Sequence, residues 1–234
     1  MRRDVKIALS LALPSLFLKP PGILPIVKGS WTDKFDSKQT RERSFTRADG
    51  TRKNVPMMSQ THEFSYGETK AFQFVRLPYG NRAFSMTVML PFSGYTTKNI
   101  SEWLTADAWA SLESHPCEVD LWLPRFETKF YIQLNDILSE MGMPRAFQNG
   151  LAEFHAMSDL ADCLDFVQQH AMIKVNEEGT EAAAVSSAGM EKYTSIGPSD
   201  TKIFHADRPF LYIISENSTG TILFAGRYGA DPKE

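Results

Sequence analysis

The side chains that could carry nucleophilic, acid–base or metal chemistry are scattered along these 234 residues and form no motif. Serine hydrolysis needs a nucleophile within hydrogen-bond reach of a base that a third group orients. No G-x-S-x-G elbow is present, and Ser195-Ile196-Gly197 does not make one. The five histidines, His62, His115, His155, His170 and His205, are dispersed, with no H-E-x-x-H pair to hold zinc on a helix face, and each reads as structural or exposed. A cysteine nucleophile needs an electropositive setting, whereas Asp159, Asp162 and Asp165 surround Cys163 with negative charge. Cys117 and Cys163 form neither a CxxC pair nor part of a zinc-like cluster, so two buried free thiols are expected. The glycines lack the spacing and the following lysine of a phosphate-binding loop. These residues predict a protein that is not an enzyme and that uses no metal and no cofactor.

Composition narrows the partners. With 25 basic and 28 acidic side chains interspersed and a formal net charge of -3, no basic stripe exists for nucleic acid. A hydrophobic fraction of 42%, with 16 Phe and 4 Trp, is enough for a substantial core in one large domain or two small ones. No run reaches the roughly 18 apolar residues of a membrane-spanning helix, so no membrane partner is expected. At the amino terminus Arg2, Arg3 and Lys6 precede an apolar run from Ile7 to Leu18, the outline of a secretory signal peptide and of a secreted, periplasmic or extracellular location. Pro14 interrupts that run and no small-residue cleavage site precedes Pro20-Pro21, so the remnant of a truncated reading frame is an equal reading for residues 1–27.

The elements that must position any site are mostly strands. Asp49-Gly50 supplies a turn between two polar extended stretches. From Thr61 onward three β-prone runs, separated by Gly67, by Tyr79-Gly80-Asn81 and by Pro91, predict an antiparallel meander. Ser101 and Thr105 are placed as N-caps of two short helices. A long β run extends from Val119 past Pro124 to Phe130, and Leu134 to Met141 has helical spacing with Gly142 as its C-cap. Phe166 to Val175 returns to β character, and Phe210–Ile214 with Ile222–Phe224 reads as a buried hairpin turning through Asn217 and Gly220. Between these lies a stretch from Glu177 to Asp200 rich in Glu, Ala and Ser with no apolar stripe to dock it, which predicts an exposed loop. The fold class is α+β, with multi-stranded antiparallel or mixed sheets and a few short helices.

That loop and the terminal hairpin resemble one known family. Asn176-Glu-Glu-Gly-Thr-Glu-Ala-Ala-Ala184 is similar to the hinge of a serpin, and Phe204-His-Ala-Asp-Arg-Pro-Phe-Leu-Tyr-Ile-Ile214 to the serpin C-terminal signature, within which Phe204, Asp207, Arg208, Pro209 and Phe210 are the signature positions. Lys28-Gly29-Ser30-Trp31, Val55-Pro-Met-Met58, Leu77-Pro-Tyr79, Ser85-Met86, Leu123-Pro-Arg-Phe126 and Met141-Gly-Met143 extend the similarity from about residue 28 to the end. The resemblance implies a truncated serpin fold over residues 28–234 with an exposed reactive-centre loop at about residues 177–203.

The resemblance also implies a mechanism, in which a target protease cleaves the loop, is held as an acyl-enzyme, and is distorted as the cleaved loop inserts into a sheet. Small residues suit a strand that must slide between two others, and Gly179, Thr180, Ala182, Ala183 and Ala184 meet that demand beside Glu177, Glu178 and Glu181. Family spacing counted from Glu177 puts the reactive bond between Tyr193 and Thr194, with Lys192 and Met190 as competing specificity residues. Tyrosine there implies a chymotrypsin-like serine protease as partner, whereas Lys192 would direct a trypsin-like one. Trp31 falls at the family's breach and Gln169 at its shutter. The helices and strands that precede Lys-Gly-x-Trp in the family have no counterpart here. The expectation is therefore either an N-terminal complementing chain or a fragment that binds or is cleaved without inhibiting.

Overall fold

A computed structural model describes residues 29–154, 163–180 and 201–229. These fall into two units: residues 29–127, 174–180 and 201–229 in one, and 128–154 with 163–173 in the other. In chain order the strands are β1 (Gly29–Ser30), β2 (Arg41–Thr46), β3 (Arg52–Glu68), β4 (Phe72–Tyr79), β5 (Phe84–Pro91), β6 (His115–Pro124), β7 (Phe126–Gln133), β8 (Gln168–Asn176), β9 (Gly179–Thr180), β10 (Lys202–His205), β11 (Phe210–Glu216) and β12 (Ile222–Tyr228). Three short α-helices, α1 (Thr97–Trp103), α2 (Ala106–Ala110) and α3 (Asn135–Glu140), complete the described set with 3₁₀ turns at Ser37–Gln39 and Pro144–Phe147.

The first unit is built on an eight-stranded sheet ordered β10-β6-β3-β4-β5-β11-β12, with β2 also on β3. Its centre is buried on both faces, which is why β5 and β11 read as almost continuous apolar runs with little alternation. Phe72 and Phe74 of β4, Met89 of β5 and Leu211 and Ile213 of β11 enclose Ile100 of α1 in one cluster. The expected meander forms as β3, β4 and β5, and the Asp49-Gly50 turn joins β2 to β3 with Gly50 at φ 80°. The terminal hairpin is β11 with β12.

Four local expectations change. Helix α1 starts before Ser101, because the backbone N–H and hydroxyl of Thr96 both donate to Asn99 Oδ1, at 2.9 and 3.2 Å, and close the first turn there. Thr105 does cap α2, accepting from Ala108 N–H at 3.2 Å. The long run past Pro124 is cut at Arg125, whose N–H makes the last bond of the β3–β6 ladder to Pro56 O, and Pro56 has no N–H to return it. Cys117 and Cys163 form no disulfide among the described residues and are only half-buried.

The fourth change concerns the loop. Its start is structured, with Glu177 and Thr180 buried, and just past its end Lys202–His205 form β10, parallel to β6. Strand β10 is anchored by the fully buried Phe204 and by polar contacts of its last residue. His205 stacks on Trp122 at 3.6 Å between ring centroids and shares a 2.8 Å hydrogen bond with Asp120.

In the second unit, α3 follows the expected spacing and Gly142 takes φ 110° just past its end. Asn135 donates to Asp165 O and accepts from Val167 N–H, tying the helix start to the chain that enters β8.

Candidate functional site

The residues that the sequence singles out meet where β8 ends. Asn176 Oδ1 accepts from the N–H groups of Glu178 and Gly179, at 3.0 and 3.2 Å, so its side chain reverses the chain in an Asx turn. The returning strand β9 pairs antiparallel with Val175 and Asn176 on one side and with Gly29 and Ser30 on the other. Gly179 and Thr180 therefore form a two-residue strand between β1 and the end of β8. Only glycine fits the first position: its φ is 141°, and a Cβ would lie 2.0 Å from Gly29 O.

The stretch after β1 clamps the turn. Trp31 N–H donates to Glu178 O at 2.9 Å, Phe35 N–H to Glu177 O at 3.1 Å, and the Trp31 indole N–H to Asn176 O at 2.9 Å. Trp31 is itself fixed by stacking on Tyr79, with ring centroids 4.5 Å apart, and by an edge contact with Phe35. Tyr79 Oη lies 2.7 Å from Thr180 Oγ1, and both residues are buried.

Charge completes the clamp. Arg125 Nε donates to both carboxylate oxygens of Glu177, at 2.7 and 2.8 Å, and Thr40 Oγ1 donates to Oε1 at 2.5 Å. Burial alone would push the Glu177 carboxyl up, but the hydrogen bonds from Arg125 and Thr40 together with the Arg125 charge hold it below its ordinary value. Lys34 Nζ reaches Glu178 Oε2 at 2.5 Å near the surface. The arrangement contains no nucleophile–base pair. What it can do is hold a short polar strand in a sheet through contacts that a competing force could undo one by one.

Of the residues chosen from sequence, Trp31, Glu177, Glu178, Gly179 and Thr180 are thus brought together. Gln169 lies on β8 in the other unit and is half-buried. Glu181, Ala182, Ala183, Ala184, Met190, Lys192, Tyr193 and Thr194 lie outside the described residues. Phe204 and Phe210 are fully buried in the large sheet, and half-buried Pro209 separates them. Arg208 donates through Nε and a terminal nitrogen to Pro91 O, at 3.0 and 2.9 Å, and through its other nitrogen to Asp207. The signature therefore secures the join between β10 and β11. Sequence reasoning gave no role to Arg125, Thr40, Lys34 or Tyr79. Leu77-Pro-Tyr79 and Leu123-Pro-Arg-Phe126 stood out as matching segments, and a buried Glu177 demands a cation, but nothing in the spacing says which one.

A family model described as "Serpin (serine protease inhibitor)" matches residues 26–230. The chain is similar to the human leukocyte elastase inhibitor, 36% identical over 214 residues that make up 87% of this chain and 56% of that protein. It is 34% identical to an uncharacterised serpin-like protein of Thermococcus kodakarensis over 211 residues, covering 88% of this chain and 48% of that one. Among solved structures, native protease nexin-1 with heparin superposes with a TM-score of 0.73 at 28% identity, covering 86% of this chain and 53% of that one. The chain spans about half the length of the relatives it matches.

Proposed function

The chain belongs to the serpin family, and on that premise we propose that it inhibits serine endopeptidases, and by extension cysteine ones, as a cleaved and inserting bait. The protease nucleophile attacks the carbonyl carbon of Tyr193. A bond forms from its oxygen or sulfur to that carbon, the bond to the Thr194 nitrogen breaks, and the freed amine of Thr194 takes up a proton. The acyl-enzyme is held while the segment that begins at Gly179 extends between β1 and β8. Tyr193 fits the apolar pocket of a chymotrypsin-like target, and Lys192 or Met190 would shift that preference. The action is stoichiometric, so the chain is no enzyme. The charged-then-apolar start of the sequence supports an extracellular or periplasmic setting.

One observation carries this reading: Gly179 and Thr180 already occupy a central strand position, with small side chains and full burial. A segment that extended this strand would follow a slot whose first two places are filled. A second reading, a non-inhibitory member that is cleaved as a substrate or that binds a partner, draws on the half-length match to the relatives; a complementing N-terminal chain would restore the first.

The test is to mix the protein with chymotrypsin and with trypsin and to look on a denaturing gel for an adduct that survives boiling. An adduct with chymotrypsin, lost in Thr180→Arg because a guanidinium has no room at a fully buried strand position, is the expected result. Cleavage beside Tyr193 with the protease left fully active would overturn the inhibitory reading in favour of the second.

A further inference from the structure

Nothing in the inhibitory reading uses Tyr79, yet its hydroxyl faces the buried side of β9. Backbone pairing presents it there: Thr32 N–H donates to Pro78 O and Gly80 N–H to Ser30 O, at 2.9 and 2.8 Å, which stitches the end of β4 to the chain leaving β1. The ring is confined between Trp31, on which it stacks at an interplanar angle of 13°, and Gly29, where a Cβ would approach Tyr79 Cδ1 to 3.0 Å. The phenol thus has one orientation, and in that orientation its oxygen meets Thr180 Oγ1 at 2.7 Å.

The clamp holds Glu177 and Glu178, whereas the side chains of strand β9 itself contribute little apolar burial. Two residues, one of them glycine, bury almost no apolar side chain, and ladder hydrogen bonds exchanged for bonds to water contribute a modest net amount each. A buried hydroxyl without a partner, by contrast, carries its full desolvation cost. Whether Thr180 stays in the sheet therefore turns on the group that receives it.

We infer that Tyr79 is the latch of this strand: its hydroxyl, held rigid by Trp31 and Gly29, retains Thr180 between β1 and β8 and sets how often Gly179 and Thr180 leave the sheet. While latched, the two residues are withheld from the segment that follows, at roughly 3.3 Å of chain per residue. Release returns that length and lets a protease engage more readily. This bearing on inhibition rests on the inhibitory reading, whereas the latch itself rests only on the described contacts. Tyr79 is a positioning residue and touches no reacting atom.

The experiment is amide hydrogen exchange on the whole protein, read on peptides covering residues 175–180, in wild type, Tyr79→Phe, Thr180→Val and the double variant. Phenylalanine keeps the stack on Trp31, and exchange in β4 and β5 reports whether the core is intact. Tyr79→Phe is expected to speed exchange at 178–180 about tenfold, because Thr180 is left with an unpartnered hydroxyl. The double variant, with neither hydroxyl buried, is expected to return close to wild type. Unchanged exchange in Tyr79→Phe, or a double variant as fast as that single one, would overturn the latch, the second outcome by showing that ring packing and not the hydroxyl pair matters.

The gel assay separates this from the proposed function. Accelerated exchange with rescue but no adduct in any variant leaves the latch standing and removes inhibition. A wild-type adduct with exchange unmoved by Tyr79→Phe does the reverse.

Discussion

Strand β11 and the turn from Glu177 to Thr180 are both buried, and they are held by opposite means. In β11 the residues Phe210 to Ile214 are all apolar or aromatic and all buried, packed against Phe126, Tyr228 and the α1 cluster. At the turn the buried groups are a carboxylate and a hydroxyl, each with named partners: Arg125 and Thr40 for Glu177, Tyr79 for Thr180. Apolar burial is non-directional and spread over many contacts, so no single contact releases it. A polar clamp is directional and concentrated, so losing one partner changes the balance for the whole turn. Under the proposed function, the difference suits a molecule that keeps its frame while one segment moves.

The largest expected effect tests the frame. Phe210→Ala removes a fully buried aromatic ring and should cost about 3–5 kcal/mol of global stability, measured by urea unfolding; a loss under about 1 kcal/mol would break the contrast. Next is Gly179→Ala, which forces a Cβ to within 2.0 Å of Gly29 O at a φ of 141°. A cost of about 3 kcal/mol is expected, confined to β9 and read as faster exchange at 178–180 with little change in the urea midpoint. Arg125→Ala leaves the nearly buried Glu177 with Thr40 as its remaining side-chain partner and should loosen the same turn by about 2 kcal/mol, again local. If it instead lowers the global midpoint as much as Phe210→Ala does, clamp and frame are one cooperative unit.

Two acid effects sharpen the contrast further. Glu177 has a folded-state pKa below its ordinary value of 4.5, so its contribution is fully present above that value and is lost as pH falls through the lowered one. Exchange at 176–180, corrected for its intrinsic pH dependence, should therefore rise below pH 4.5 while β11 stays protected; equal protection of both down to strong acid would contradict the polar clamp. The smallest effect belongs to the exposed turn after β11. Hydrogen bonds from Thr219 and Ser218 pull the Glu216 carboxyl down to about 2, and by the same sign the turn should loosen only as pH drops from 4.5 toward that value. The amide signals of Ser218 and Thr219 would report it, and a shift centred near pH 4.5 would show those bonds to be absent in solution.

Much of the frame was legible because its signals are local. Alternating and continuous apolar runs marked β3 to β5 and the β11–β12 hairpin, Asp49-Gly50 marked a turn, and Thr105 marked a cap. Local signals also failed locally: Asn99, whose side chain reaches back to accept from Thr96, starts α1 earlier than Ser101 would, and Glu177 and Thr180 are buried in a stretch that composition assigns to an exposed loop.

The candidate site was legible only on one side. By itself the sequence determined the class of fold, the family resemblance, and the small residues at Gly179 and Thr180, because these depend on residue type and on spacing within one segment. Only the tertiary structure decided that Glu177 is buried and met by Arg125 and Thr40, and that Thr180 is received by Tyr79. Those partners lie 52, 137 and 101 positions away along the chain. A hydrogen bond acts over about 3 Å and is indifferent to sequence separation. Its partner is therefore chosen by how the strands are ordered, which no local pattern of residues encodes.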